Sequence, residues 1–254
     1  MENGKLKMEK LFHLQLSIFH FQFIKVYKNL FFDLDDTLWA FSENARDAFG
    51  EVYESFHFER YFDSFEHFYS IYNGRNQQLW VDYGDGKITK EQLNQERFLY
   101  PLRQVGVDNP QLAAEYSALF FQIIPIKEKL MPHAKEVLEY LAPRYRLYIL
   151  SNGFRELQSR KMQSAGIDSY FRRVVLSEDL LINKPHAELF YFALSSTQSE
   201  LKESLMIGDS WDADIVGAEG VGMHQVFYNV SKRTSFPFKP TYSIEDLKEL
   251  TTFL

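Results

Sequence analysis

Four short segments carry the reactive side chains of this sequence. They are Asp33-Leu34-Asp35-Asp36-Thr37, Ser151-Asn152-Gly153, Lys184-Pro185, and Gly208-Asp209-Ser210 with Asp212 and Asp214 just behind. The first, second and fourth end short apolar runs, and Lys184 follows another. Open parallel sheets place ligand sites at the carboxyl ends of their strands, so these ends would share one crevice. The chemistry suggested is phosphoryl transfer through an aspartyl-phosphate, with Asp33 attacking phosphorus as the nucleophile. A carboxylate cluster needs a cation, and an all-oxygen ligand set favours Mg²⁺. Asp33 and Asp209 would bind it through their side chains and Asp35 through its backbone carbonyl. Asp214 would act as a ligand or hold metal-bound water. Lys184 would offset repulsion between Asp33 and a dianionic substrate. Ser151 and Lys184, with Asn152 beside Ser151, and nearby backbone N–H groups would hold the phosphoryl oxygens. Asp35 would protonate the leaving oxygen, then take a proton from the hydrolytic water.

Singly, each segment has a plainer reading. Adjacent acids after a strand usually form a solvated turn, and Ser-Asn-Gly is a turn signal. Asp36 suits a tight turn, and Asp212 suits an exposed first helical turn, where it complements the helix dipole. The order and spacing of all four segments together lift the functional reading.

The elements that must position these residues are legible as runs. Asn29–Phe32 is a short apolar strand before the first acids. After it, Ala45, Ala48, Phe49, Val52, Tyr53 and Phe56 recur at helical spacing. Phe65, Phe68, Tyr69 and Tyr72 continue the pattern. Thr89 with Gln92 forms a capping box, and Asn109-Pro110 opens a further helix running to about Gln122. Beyond Pro132 the rhythm alternates. Helix Ala134–Ala142 leads to strand Leu147–Leu150, and helix Phe154–Ala165, ending at Gly166, leads to strand Val174–Leu176. A helix near Leu189–Leu194 precedes strand Ser204–Ile207, and a helix around Ala213–Glu219 precedes strand His224–Tyr228. The predicted fold class is therefore α/β: a three-layer Rossmann-like parallel sheet core with an inserted all-helical cap. The core comprises residues 28–43 and 129–254, and the cap residues 44–128. Residues 1–27 form an N-terminal extension. Within it, the run Leu11–Ile24 is too short and too polar for a membrane span and lacks a signal-peptide cleavage site. It reads as strand propensity with a bulge, or as sequence ahead of a natural start near Val26.

Composition bounds the alternatives. The 254 residues contain no cysteine, which excludes disulfides, thiolate metal sites and a cysteine nucleophile and fits a reducing, cytoplasmic setting. A formal net charge of -7 argues against a nucleic-acid polymer as partner.

The segments FFDLDDTLW (31–39), LSNG (150–153), NKP (183–185) and MIGDSWDAD (206–214) resemble the haloacid dehalogenase superfamily over about residues 28–254. The resemblance implies Mg²⁺, Asp33 as nucleophile and Asp35 as acid/base. It also implies Ser151 as phosphate ligand, Lys184 as the balancing base, and Asp209 and Asp214 as the acidic pair. The long insertion after the first motif matches the helical cap of the family's first cap class. The short interval between Ser151 and Lys184 leaves little room for the other cap type. Dehalogenases of the superfamily usually lack an acid two residues after the nucleophile, so Asp35 favours a phosphatase acting on a small phosphorylated metabolite. A phosphomutase, a 2-haloacid dehalogenase and a binding role are the alternatives. SNGFRELQSRKMQSAGI (151–167) is similar to the same stretch of the pyrimidine 5′-nucleotidase branch, which implies nucleoside 5′-monophosphates as substrates. The alternative there is a sugar phosphate or another small metabolite. Phe65, Phe68, Tyr72, Trp80 and Tyr83 are the candidate base-stacking residues of the cap, each also explicable as core.

Overall fold

The computed structural model describes residues 27–254, so the readings of Leu11–Ile24 and of a start near Val26 lie outside the described residues. Strand β1 (Asn29–Phe32) is wholly buried and pairs in parallel with β2 (Arg146–Ser151) on one side and β4 (Ser204–Gly208) on the other. With β3 (Arg173–Leu176), β5 (His224–Tyr228) and β6 (Tyr242–Ile244), the sheet order is β3-β2-β1-β4-β5-β6, and every pairing is parallel. The chain fills one side of β1 and then the other, so the point of reversal lies at β1 and β4, where such sheets hold their ligands.

Between β1 and β2 lie α1 (Phe41–Ser55), α2 (Phe65–Gly84), α3 (Lys90–Gln104) and α4 (Pro110–Ile123), followed by α5 (Ala134–Leu141). Further on come α6 (Arg155–Ser164), α7 (Ala187–Ser196) and the short α8 (Val216–Gly220). Leu30 and Phe32 pack into one core with Val137, Leu138 and Leu141 of α5. Phe31 faces the opposite layer with Leu189 and Phe190 of α7. Both faces of the strand are covered, which is why it reads as a continuous apolar run rather than an alternating one.

The expected caps are present. Thr89 and Gln92 form the capping box of α3, and Asn109 accepts from the Leu112 N–H with Pro110 in the first turn. Gly166, at φ 63°, ends α6 in the left-handed region that glycine adopts without a Cβ penalty. Three elements differ from expectation. Helix α1 begins at Phe41 because the Asp36 carboxylate, in a turn at φ 58°, accepts from Ser42 N and Oγ and so satisfies a first-turn donor. The helix expected around Ala213–Glu219 is a π turn, Trp211–Ile215, running into α8. Strand β6 was not anticipated, being three residues long and only partly buried.

The helical insertion has an aromatic interior, in which Phe49 stacks on Phe120 at 4.2 Å and touches Phe68, Tyr72 and Phe98. Its two connections to the sheet are tied to each other. Ala40 N donates to Lys129 O, Met131 N to Leu38 O, and the Trp39 indole N–H to Lys127 O. No described helix is long and apolar enough to cross a membrane.

Candidate active site

β1 delivers Asp33 to the carboxyl edge of the sheet, where its N–H donates to Ile207 O of β4 at 2.9 Å. Lys184 reaches the same point from the loop after β3. Its ammonium donates to Asp33 Oδ1 at 2.6 Å, Asp214 Oδ1 at 2.6 Å and Leu150 O at 2.7 Å. All three of its protons are thereby used. Lys184 takes Asp33 Oδ1 and leaves Oδ2 without a hydrogen bond among the described residues. The π turn swings Asp214 back under β4, where its Oδ2 accepts from Ser210 N at 3.1 Å. The approach is so close that a Cβ on Gly208 would lie 2.1 Å from that oxygen. Only glycine fits there. Asp209 stands beside them, accepting from Thr37 Oγ1 at 2.9 Å while its own N–H donates to the same hydroxyl.

Carboxylate oxygens of Asp33, Asp209 and Asp214 lie within 4.8 Å of one another. Burial pushes Asp33 well above the usual carboxylate range; the Lys184 ammonium opposes this, and the charges of Asp214, Asp209 and Asp35 add to it. Burial and then the charge of Asp214 push Asp209 up to about 7, against the Thr37 hydrogen bond. Burial alone would lower the Lys184 ammonium, but Asp214 and Asp33 outweigh it and raise it above its ordinary value. Three carboxylates thus share one ammonium, and the cluster is short of positive charge. A hard divalent cation with oxygen ligands fits that deficit.

Ser151 ends β2, and its Oγ accepts from Gly153 N at 3.1 Å and from Gln158 Nε2 at 2.8 Å. Its own proton remains free to donate. Asn152, expected at the phosphate, uses its amide elsewhere: Oδ1 accepts from Lys184 N at 2.8 Å and Nδ2 donates to Lys184 O at 3.1 Å. It holds the lysine loop in register with β2. Asp212 is exposed, as its plainer reading required.

The sequence reading missed the partners of Asp35. Gln158 and Lys161, both buried on one face of α6, donate to Asp35 Oδ2 and Oδ1 at 2.8 and 2.7 Å. The Lys161 ammonium also sits over the Trp39 ring at 4.7 Å and the Phe41 ring at 5.1 Å. In the sequence, segment 151–167 stands out only by its resemblance.

A cavity of about 280 Å³ opens on these groups, lined by Asp33, Asp35, Ser151, Lys184, Asp209 and Asp214 from the sheet edge. Of the five candidate aromatics, Tyr72 and Trp80 line it. Phe68 is buried in the aromatic interior, Phe65 lines a separate hollow with Glu43 and Lys127, and Tyr83 packs on Trp80 and Phe154. Phe41, Phe120, Phe121 and Phe154 are further rings in the wall, beside Ile124 and Leu157.

A family profile described as haloacid dehalogenase-like hydrolase matches residues 27–222. The pyrimidine 5′-nucleotidase YjjG of Escherichia coli K12 is 29% identical over 229 residues, covering 89% of this chain and 96% of its own. The pyrimidine 5′-nucleotidase PynA of Streptococcus pneumoniae R6 is 30% identical over 230 residues, covering 88% and 93%. Among solved structures, the magnesium-bound HAD-hydrolase YfnB of Bacillus subtilis superposes with a TM-score of 0.80 at 26% identity, over 89% of this chain and 97% of that one.

Proposed function

The chain belongs to the haloacid dehalogenase-like hydrolases and is a phosphoric monoester hydrolase; from that premise we propose that it is a Mg²⁺-dependent phosphatase of nucleoside 5′-monophosphates, with pyrimidines preferred, acting through a phosphorylated Asp33. The observation that carries this reading is the meeting of Lys184 with Asp33 and Asp214 at a cavity whose remaining wall includes six aromatic rings. Two relatives named as pyrimidine 5′-nucleotidases support the substrate class.

Asp33, Asp209 and Asp214 would hold the cation, which supplies charge neutralisation to the acidic cluster and to the phosphoryl group. The free Oδ2 of Asp33 forms a bond to phosphorus as the bond to the leaving oxygen breaks. Asp35, once it carries a proton in place of one of its bonds to Gln158 and Lys161, gives that proton to the leaving oxygen. Asp35, again a carboxylate, then takes a proton from water, whose oxygen displaces Asp33 from phosphorus and releases inorganic phosphate. Ser151 Oγ–H and backbone N–H groups of its turn hold the phosphoryl oxygens through both halves. Lys184 and Asn152 keep Asp33 in place.

The test is phosphate release from UMP, dTMP, AMP, ribose 5-phosphate and p-nitrophenyl phosphate, with saturating Mg²⁺ and with EDTA. The expected order of kcat/KM places the pyrimidine nucleotides first, with no turnover in EDTA. A clear preference for sugar phosphates over every nucleotide overturns the substrate class and leaves the phosphatase chemistry standing.

A further inference from the structure

The cavity wall opposite the carboxylates contains a buried cation without a counter-ion. Arg97 lies on the inward face of α3 and is 4% exposed. Its Nη2 donates to Asn94 Oδ1 at 2.5 Å, and its guanidinium lies against the Phe98 and Phe121 rings at 5.1 and 5.2 Å. Among the described residues no carboxylate pairs with it, and its Nε has no partner. Burial lowers its affinity for the proton, and the phenols of Tyr72 and Tyr116 are the groups that counter this. Asn76, on the neighbouring α2, is 6% exposed, and its Oδ1 is likewise without a partner. Both residues line the cavity that holds Asp33 and Asp35. Native interiors seldom leave either group unsatisfied, and an unpaired buried guanidinium is more costly still.

We propose that Arg97 and Asn76 form the subsite for the leaving group and read the hydrogen-bonding edge of a single-ring base. This rests on the nucleotidase reading and deepens it. The unmet donor of Arg97 calls for an acceptor, and the unmet oxygen of Asn76 calls for an N–H. A carboxylate or second phosphate would satisfy the first and repel the second. A pyrimidine satisfies both, because its edge carries a ring carbonyl beside an N–H in uracil and the ring N3 acceptor beside an exocyclic amine in cytosine. Trp80 and Phe121, also in the wall, offer flat apolar surface to the ring. A cavity near 280 Å³ lies just below the usual range of ligand sites, about 300–1,000 Å³, and favours one ring over two. Adenine presents a ring-nitrogen acceptor beside its amine as well, so its exclusion rests on the second ring, for which a cavity near 280 Å³ has little room.

The experiment compares kcat/KM for UMP, CMP, AMP, phosphoglycolate and p-nitrophenyl phosphate in the wild type, Arg97→Met and Asn76→Ala, with the melting temperature of each. Arg97→Met is expected to lose on the order of 10²-fold more on UMP and CMP than on p-nitrophenyl phosphate, since a site built to hydrogen-bond its substrate discriminates strongly. Its melting temperature is expected to hold or rise, because a buried unpaired charge has been replaced by an apolar side chain; a purely structural arginine would give a fall. Asn76→Ala, a smaller change, is expected to lower the ratio of UMP to p-nitrophenyl phosphate and serves if Arg97→Met does not fold. An unchanged UMP to p-nitrophenyl phosphate ratio in Arg97→Met, or in Asn76→Ala where only that variant folds, overturns the subsite. So does a wild-type preference for phosphoglycolate that Arg97→Met abolishes, which would make the site one for anions. Failure of the nucleotidase reading shows separately, in the wild type alone, as poor turnover of both pyrimidine nucleotides.

Discussion

At the scale of single residues, Asp33 and Asp35 are two acids placed in different company, and that difference assigns their work. Asp33 is locked by one oxygen to a buried ammonium and offers the other. Asp35 is partly exposed and held by both oxygens. Asp33→Asn is expected to abolish turnover while the fold persists, because the amide matches the carboxylate in shape but cannot act as the anionic nucleophile. Removing one of three crowded carboxylates is expected to leave the melting temperature equal or higher. Activity within tenfold of wild type, in material free of deamidated protein, would exclude Asp33 as nucleophile. Asp35→Asn is expected to show its loss according to the leaving group. An alkyl phosphate such as UMP needs its leaving oxygen protonated, whereas p-nitrophenolate departs more readily, and general acid–base catalysis contributes roughly 10²–10⁴-fold. The loss on UMP should therefore exceed that on p-nitrophenyl phosphate. Equal losses under conditions where chemistry limits both rates count against proton transfer by Asp35.

At the scale of elements, α6 does what the strand ends cannot. Gln158 and Lys161 stand three positions apart on one face of the helix, so a single rigid element fixes both oxygens of Asp35. Lys161→Met keeps the buried volume and the contact with Trp39 and Phe41 but removes the donor. A displaced acid/base group can cost on the order of 10² in rate, so kcat is expected to fall by about that much. KM for UMP should move by less than about threefold, since Lys161 acts on the proton carrier rather than on the substrate. A rise in KM with kcat intact would make Lys161 a binding residue instead. These two residues also mark where sequence reading stops. Asp33, Ser151 and Asp209 were legible because each ends a strand buried on both faces, so an apolar run gave its position. Lys184 was legible from its order among them. A lysine on a helix is ordinarily solvated, and the partner of Lys161 lies 126 positions away in the sequence. Only the packed structure brings them together. Arg97 was hidden for the same reason, inside a helix marked in the sequence only by its capping box. The π turn that places Asp214 leaves no mark on an apolar period, and β6 is too short to leave one.

At the scale of the whole molecule, charge is distributed between two parts that meet over the cavity. Lys90 of the insertion pairs with Glu156 and Glu178 of the sheet half, while Trp80 lies on Phe154. The paired connections near Trp39 and Leu130 return the chain to the sheet. These contacts close a carboxylate-rich crevice away from water, and that raises the affinity of Asp33 and Asp209 for protons. The consequence for stability has a definite sign. Unfolded, both acids titrate near 3.8; folded and free of cation, they keep their protons to higher pH, Asp209 to about 7. Across that interval the folded chain binds more protons than the unfolded one, so stability without cation falls as pH rises from about 4 to about 7. A divalent cation takes only the deprotonated carboxylates, and its stabilisation grows with its affinity for the folded state. The gain in melting temperature from saturating Mg²⁺ is therefore expected to be larger at pH 8 than at pH 5.5. In EDTA the melting temperature should decline over the same range, and Asp209→Asn should flatten both trends. Thermal melts of the four combinations of pH and Mg²⁺ decide it. An equal gain at both pH values would place the cation away from Asp33, Asp209 and Asp214, because no other arrangement of the described acids couples cation binding to protons held so far above their ordinary range.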